Sequence, residues 1–159
     1  MDGIINAASN KTKHHLLINQ NFTTMGKKVA LATLAGFVTL FILGYLVYEV
    51  LMKGSMAEMQ AAAGACMSTE PAYAYIIVAT LVQSLLISLV LYKFNATTFQ
   101  SGLMNSAWVV LLICLWYDIW FLTSMPWFTN NMAIMDVVMN TVQSAIAGGV
   151  IGWVLGKVK

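Results

Sequence analysis

Three acidic side chains fall inside long apolar runs of this chain, and their chemistry is the hardest to explain by packing. Asp118 stands within Leu115-Trp116-Tyr117-Asp118-Ile119-Trp120-Phe121, seventeen residues into the run 101–124. Glu49 lies three residues before the end of an earlier run, and Asp136 four residues into a later one. An ionisable group at membrane depth costs roughly 2.5–3.5 kcal/mol on insertion scales unless it finds a partner or a water pocket. At about 1.5 Å per residue, all three lie roughly 4–9 Å beneath one membrane face. Tyr45 shares a helical face with Glu49, and Tyr48 and Asn140 lie at similar depth. The expected site is therefore an intramembrane polar pocket of Glu49, Asp118, Asp136, Asn140, Tyr45 and Tyr48. Three carboxylates with only Lys53 nearby cannot all ionise at low cost, which suits a proton or cation relay. The competing reading lets Glu49 and Asp136 snorkel to the interface and buries Asp118 alone, hydrogen-bonded to a tyrosine.

Two further patterns carry candidate chemistry. Asp136, Asn140, Ser144, Gly148, Gly152 and Gly156 recur every four residues, so one helix face grades from polar to bare backbone. Ser144, Gly148, Gly152 and Gly156 are expected to pack another helix, as small residues do in membranes, either within the chain or across a dimer. Gln83, Ser84 and Gln143 add polar groups near mid-membrane that serve as interhelical contacts. Eight of the eleven methionines gather toward the same face as the acids, with helical spacing in Met52/Met56/Met59 and in Met132/Met135/Met139. With Cys66 these thioethers form a weak set of ligands for a soft ion such as Cu(I), although methionine also fills apolar gaps. Cys66 and Cys114 differ in depth, which argues against a disulfide. The chain carries no phosphate loop, no Ser/His/Asp set, no Cys-x-x-Cys pair and no histidine in any apolar run. Enzymatic tools and cofactor sites are thus missing, and no cofactor is expected.

The elements that must position these residues follow from composition. Of 159 residues, 60% are hydrophobic and 9% charged, with a mean hydropathy of +0.78. A soluble domain carries about 25% charged residues, so lipid is the expected solvent. Four runs, 28–52, 72–94, 101–124 and 132–156, each reach the roughly 20 residues that cross about 30 Å of hydrocarbon. The expected fold is all-α: an integral membrane four-helix up-and-down bundle over 28–159, preceded by a polar cytoplasmic segment 1–27. The first run is too long for a cleavable signal peptide, and Met25-Gly26-Lys27-Lys28 resembles an alternative start. Ser55 and Glu58 fit a capping box, predicting a short interfacial helix over 55–63 in the first outer loop. Thr69-Glu70-Pro71 then opens the second span, with Pro71 in its first turn. There is no arginine, and seven of eight lysines lie on one side, only Lys53 opposing them. The positive-inside rule then puts both termini in the cytoplasm. A net charge of +2 without a basic-aromatic surface excludes nucleic acid as a partner and suits anionic headgroups.

Leu43-Gly44-Tyr45-x-x-Tyr48, Gly102 and Gly148-Gly149-x-x-Gly152 resemble the uncharacterised bacterial membrane-protein family called domain of unknown function 1761, over about residues 25–159. Tyr45 stands where that family often has tryptophan. The resemblance implies a small four-helix protein of the bacterial inner membrane, without an assigned activity. The functional expectation is a proton- or cation-coupled transport or binding module with an outward-facing acidic pocket, assembled as a homo-oligomer. The alternative is an accessory subunit docking a partner through the glycine face. A lesser alternative is soft-metal handling by Met52, Met56, Met59 and Cys66.

Overall fold

The computed structural model describes residues 25–66 and 72–158, which are helical almost throughout and contain no strand. Most of the expected polar segment 1–27, and the Thr69-Glu70-Pro71 start signal, lie outside the described residues. Four helices are long and apolar enough to cross a membrane: α1 (Met25–Leu51), α3 (Tyr73–Lys93), α4 (Phe99–Ser124) and α5 (Asn130–Lys157). Between the first two lies α2 (Lys53–Ala63), followed by a single 3-10 turn, Gly64–Cys66.

Helix ends follow local hydrogen bonding more closely than hydropathy. Helix α4 begins two residues before the apolar run, because Thr98 and Ser101 form a reciprocal capping box: the Ser101 N–H donates to Thr98 Oγ1 (3.1 Å) and the Thr98 N–H to Ser101 Oγ (3.2 Å). Helix α5 likewise starts at Asn130, where Thr129 Oγ1 accepts from the Met132 N–H at 3.3 Å. In both cases the first turn is polar, so an apolar count places the start too late. Helix α3 ends at Lys93, and Asn95 turns the chain with φ 52, a left-handed conformation that asparagine tolerates. The capping box expected at Ser55 and Glu58 does not form. Helix α1 finishes in a π-helical turn, Leu46–Leu51, closed by the Met52 N–H donating to the Val47 carbonyl at 2.8 Å. That wider turn leads directly into α2 at Lys53, so Ser55 is already inside the helix. Gly64, at φ 55, supplies the left-handed residue that stops α2.

Gly102 faces Gly148 and Gly152, Ser106 faces Ser144, and Thr97 and Thr98 face Gly156 and Gly152, so α4 and α5 run antiparallel in a constant register. Here two backbones touch. A Cβ added at Gly102 would meet the Gly148 carbonyl oxygen, and one at Gly148 would meet Ser106 Cβ. The Ser106 hydroxyl donates to the Ser144 carbonyl at 2.6 Å within this seam. Helix α3 joins through the Gln83 amide donating to Ser144 Oγ (3.1 Å), and α1 through the Ser84 hydroxyl donating to the Thr33 carbonyl (2.7 Å). Gly36 lets Ile151 of α5 and Ser84 of α3 approach α1. The core is small and partly polar: Ser84, Ser88 and Ser144 have no exposed surface, beside Ala32, Ile87, Leu91, Ala147 and Ile151. Large apolar side chains such as Leu34, Val82, Leu112, Trp116 and Ile134 point outward. Lipid is as apolar as leucine, so close contact and hydrogen bonds drive association here, and bulk faces the acyl chains.

The glycine face is consequently occupied by α4 of the same chain. It is not available as the docking surface that the accessory-subunit expectation requires.

Overpacking a seam of this kind costs about 1–3 kcal/mol, sometimes more. Gly102→Ala and Gly148→Leu should each lower the thermal midpoint of the detergent-solubilised protein. Gly44→Ala, where an added Cβ meets nothing within 4 Å, should not. Equal midpoints for all three variants would contradict the seam.

Candidate functional site

The α4–α5 register carries upward from the seam to the acids. On α4 the buried residues Gly102, Ser106, Val110, Cys114 and Asp118 follow one another at intervals of four, so Asp118 continues the line that faces α5. About three turns beyond Ser106, the Tyr117 hydroxyl makes a short hydrogen bond to Asp136 Oδ2. Asp118 is 2% exposed, and neither of its carboxylate oxygens has a hydrogen-bond partner among the described residues. Asp136 is half-buried and lines the same cavity as Asp118. The expected tyrosine bond exists, but it goes to Asp136 and leaves Asp118 unsatisfied.

Both acids line a cavity of about 300 Å³ at the end of the helices where α1 and α4 finish and α5 begins. Helix α1 contributes Tyr48, and Met52, the buried residue that caps its π turn, follows it in the wall. Helix α2 lies across the cavity and presents Met56 and Met59 at a three-residue spacing, with Cys66 just beyond. It is held to α5 by the Ser55 hydroxyl, which donates to Met135 Sδ at 3.8 Å. The remaining wall is Tyr117 and Phe121 from α4, Trp127 and Phe128 from the connecting turn, and Met132 and Met135 from α5. Phe121 packs edge-on against both Tyr117 and Phe128, and Trp127 against Phe128, which fixes the aromatic side as one unit.

Below the acids a polar strip continues along α5. The Gln143 amide donates to Asn140 Oδ1 at 2.8 Å. Asn140, one turn along α5 from Asp136, does not line the cavity. Ser144 follows one turn further and ties the strip to Gln83.

Two expected residues are not part of this arrangement. Glu49 is exposed and Tyr45 is 63% exposed, and neither lines the cavity. The reason lies in the helical phase. The buried line of α1 runs through Val29, Ala32, Gly36 and Leu40, and Glu49 lies nine residues past Leu40. At about 100° per residue that is half a turn off the line. Glu49 and Tyr45 do share a face, but it is the outward one. The acidic trio is therefore a pair, Asp118 and Asp136. Tyr117, Phe121 and Phe128 were not anticipated as site residues. The signal for the first two was their four-residue spacing beside Asp118.

No family model, no curated protein and no solved structure matches the chain, so the site rests on its own geometry.

Membrane hydrogen bonds contribute about 0.6 kcal/mol on average and up to about 1.7. Tyr117→Phe, which leaves Asp136 without its donor, should lower stability by an amount in that range. Glu49→Gln should change it by less than about 0.5 kcal/mol. Reversible unfolding in mixed micelles measures both, and a larger loss for Glu49→Gln than for Tyr117→Phe would contradict the placement.

Proposed function

We propose that this chain is a multi-pass membrane protein whose working part is a membrane-embedded acidic cavity that takes up a proton or cation at Asp118, the binding step of a small transport or binding module. The carrying observation is the Asp118 carboxyl: it is buried, unpartnered among the described residues, in the wall of a cavity, and beside a second carboxyl. A buried polar group left unbonded costs roughly 1–3 kcal/mol, and more when charged. Evolution keeps such a cost where a site uses the group, and intramembrane ionisable residues commonly mark ion and substrate pathways.

The orientation we favour has both termini in the cytoplasm and the cavity facing outward. Its support is that Lys27, Lys28, Lys93 and Lys157 sit at the helix ends opposite the cavity, and Lys53 alone at the cavity end. In that orientation α2 lies at the outer interface. A bacterial inner membrane is the setting implied by the resemblance to domain of unknown function 1761, and lipid is the immediate partner. A second reading, soft-metal handling, is favoured by one observation: Met52, Met56, Met59 and Cys66 share the cavity wall with Met132 and Met135.

Infrared difference spectra over a pH titration provide the test. The wild type should show a carboxyl band that Asp118→Asn removes. Asp118→Leu, which relieves the buried acid, should melt no lower than wild type. A spectrum unchanged by Asp118→Asn, or a strongly destabilised Asp118→Leu, would assign Asp118 a structural role and end this reading.

A further inference from the structure

The walls of the cavity narrow what its acid binds. A hard cation such as Na⁺ or Ca²⁺ needs about six oxygen ligands. Among the described residues, the side-chain oxygens of the wall are those of the two carboxyls and of the Tyr48, Ser55 and Tyr117 hydroxyls, set among aromatic and sulfur-bearing side chains. A soft ion needs several sulfurs converging to about 2.3 Å, the length of a metal–thiolate bond. Here the sulfur-bearing residues come from α1, α2, α5 and the turn after α2, spread around a space of about 300 Å³, and Met135 Sδ is engaged by Ser55. That space holds about ten water-sized groups at about 30 Å³ each, far more than one bare ion fills.

What the wall does supply in quantity is aromatic faces and thioethers. Phe121, Trp127 and Phe128 form a rigid aromatic side, and Met56, Met59 and Met132 a soft, adaptable one. Aromatic faces attract organic cations, and Trp most strongly. An apolar pocket with a few placed polar groups is also the usual form of a small-molecule site. A buried carboxyl lacking a partner completes the complement of a protonated amine.

Resting on the acidic-cavity reading above, we propose that the ligand is an organic cation of about ten heavy atoms. Its ammonium group lies against Asp118, and its apolar body lies against Phe121, Trp127 and Phe128 on one side and the methionines on the other. Asp136 is held back from the ligand by Tyr117 and tunes the field at Asp118 without bonding the charge directly.

Benzylammonium is a fitting probe, with benzyl alcohol as its neutral counterpart of matching shape. Equilibrium dialysis against the full chain in detergent should show saturable benzylammonium binding, with benzyl alcohol at least about tenfold weaker. Asp118→Asn should abolish the preference for the charged probe. Trp127→Ala should weaken benzylammonium severalfold, and Glu49→Gln, which lies outside the cavity, should leave it unchanged. The comparison of the two probes on wild type stands even if Asp118→Asn fails to fold. Equal affinity for both probes overturns the proposal. So does stoichiometric Ag⁺ binding that is lost in Met56→Leu while benzylammonium does not bind, an outcome that selects the soft-metal reading. If the Asp118 infrared band is present and benzylammonium shows no preference, only the ligand class falls. If the band is absent, the acidic-cavity reading falls with it.

Discussion

The contact on which the rest depends is the backbone seam between α4 and α5. Gly102, Gly148 and Gly152 lack the side chains that would hold two helices apart, and Ser106 locks the register by donating to the Ser144 carbonyl. Once that register is set, the upper turns have no freedom of phase. Asp118 must face inward at the end of the buried line of α4, and Asp136 must come level with Tyr117. A seam toward one end of α4 and α5 thus determines which acids meet toward the other. In lipid no hydrophobic force would do this in its place, because the acyl chains compete equally for every leucine.

The upper half of the molecule is built differently. Beyond the glycine seam the lining side chains are larger and softer. The buried Met52 caps the π turn at the end of α1, and α2 folds over the opening, tied to α5 by Ser55 and Met135. The space left between them is walled by aromatic and thioether groups around two carboxyls. Small polar residues inside, bulky apolar residues outside and a cavity at one end are therefore consequences of one arrangement. The half with the cavity carries a buried acid, Asp118, with no hydrogen-bond partner among the described residues.

The four spans were readable from the length of the apolar runs, since nothing but lipid suits such stretches. Their first turns were not: Phe99 and Asn130 begin helices because Thr98 and Thr129 cap them, a local effect that hydropathy misses. The inward phase of Asp118 was legible in principle, from its four-residue line through Gly102, Ser106, Val110 and Cys114. The outward phase of Glu49 was equally legible, from its half-turn offset from Leu40. Grouping acids by depth alone overlooked both. Two features lay beyond the sequence: the π turn, which has no residue signature here, and the Tyr117–Asp136 bond, which requires the interhelical register. The gathering of the methionines was visible as spacing, but only the fold of α2 over the cavity brings those of α1, α2 and α5 to one wall.

Asp118 and Asp136 line one cavity, and energetic coupling between them follows from that shared setting. A double-mutant cycle of Asp118→Asn and Asp136→Asn, read by reversible unfolding in mixed micelles, tests it most directly. Residues in contact through a shared cavity couple by about 0.5–3 kcal/mol, whereas remote sites add within about 0.3–0.5. A coupling energy clearly above 0.5 kcal/mol is expected. Strict additivity would contradict it.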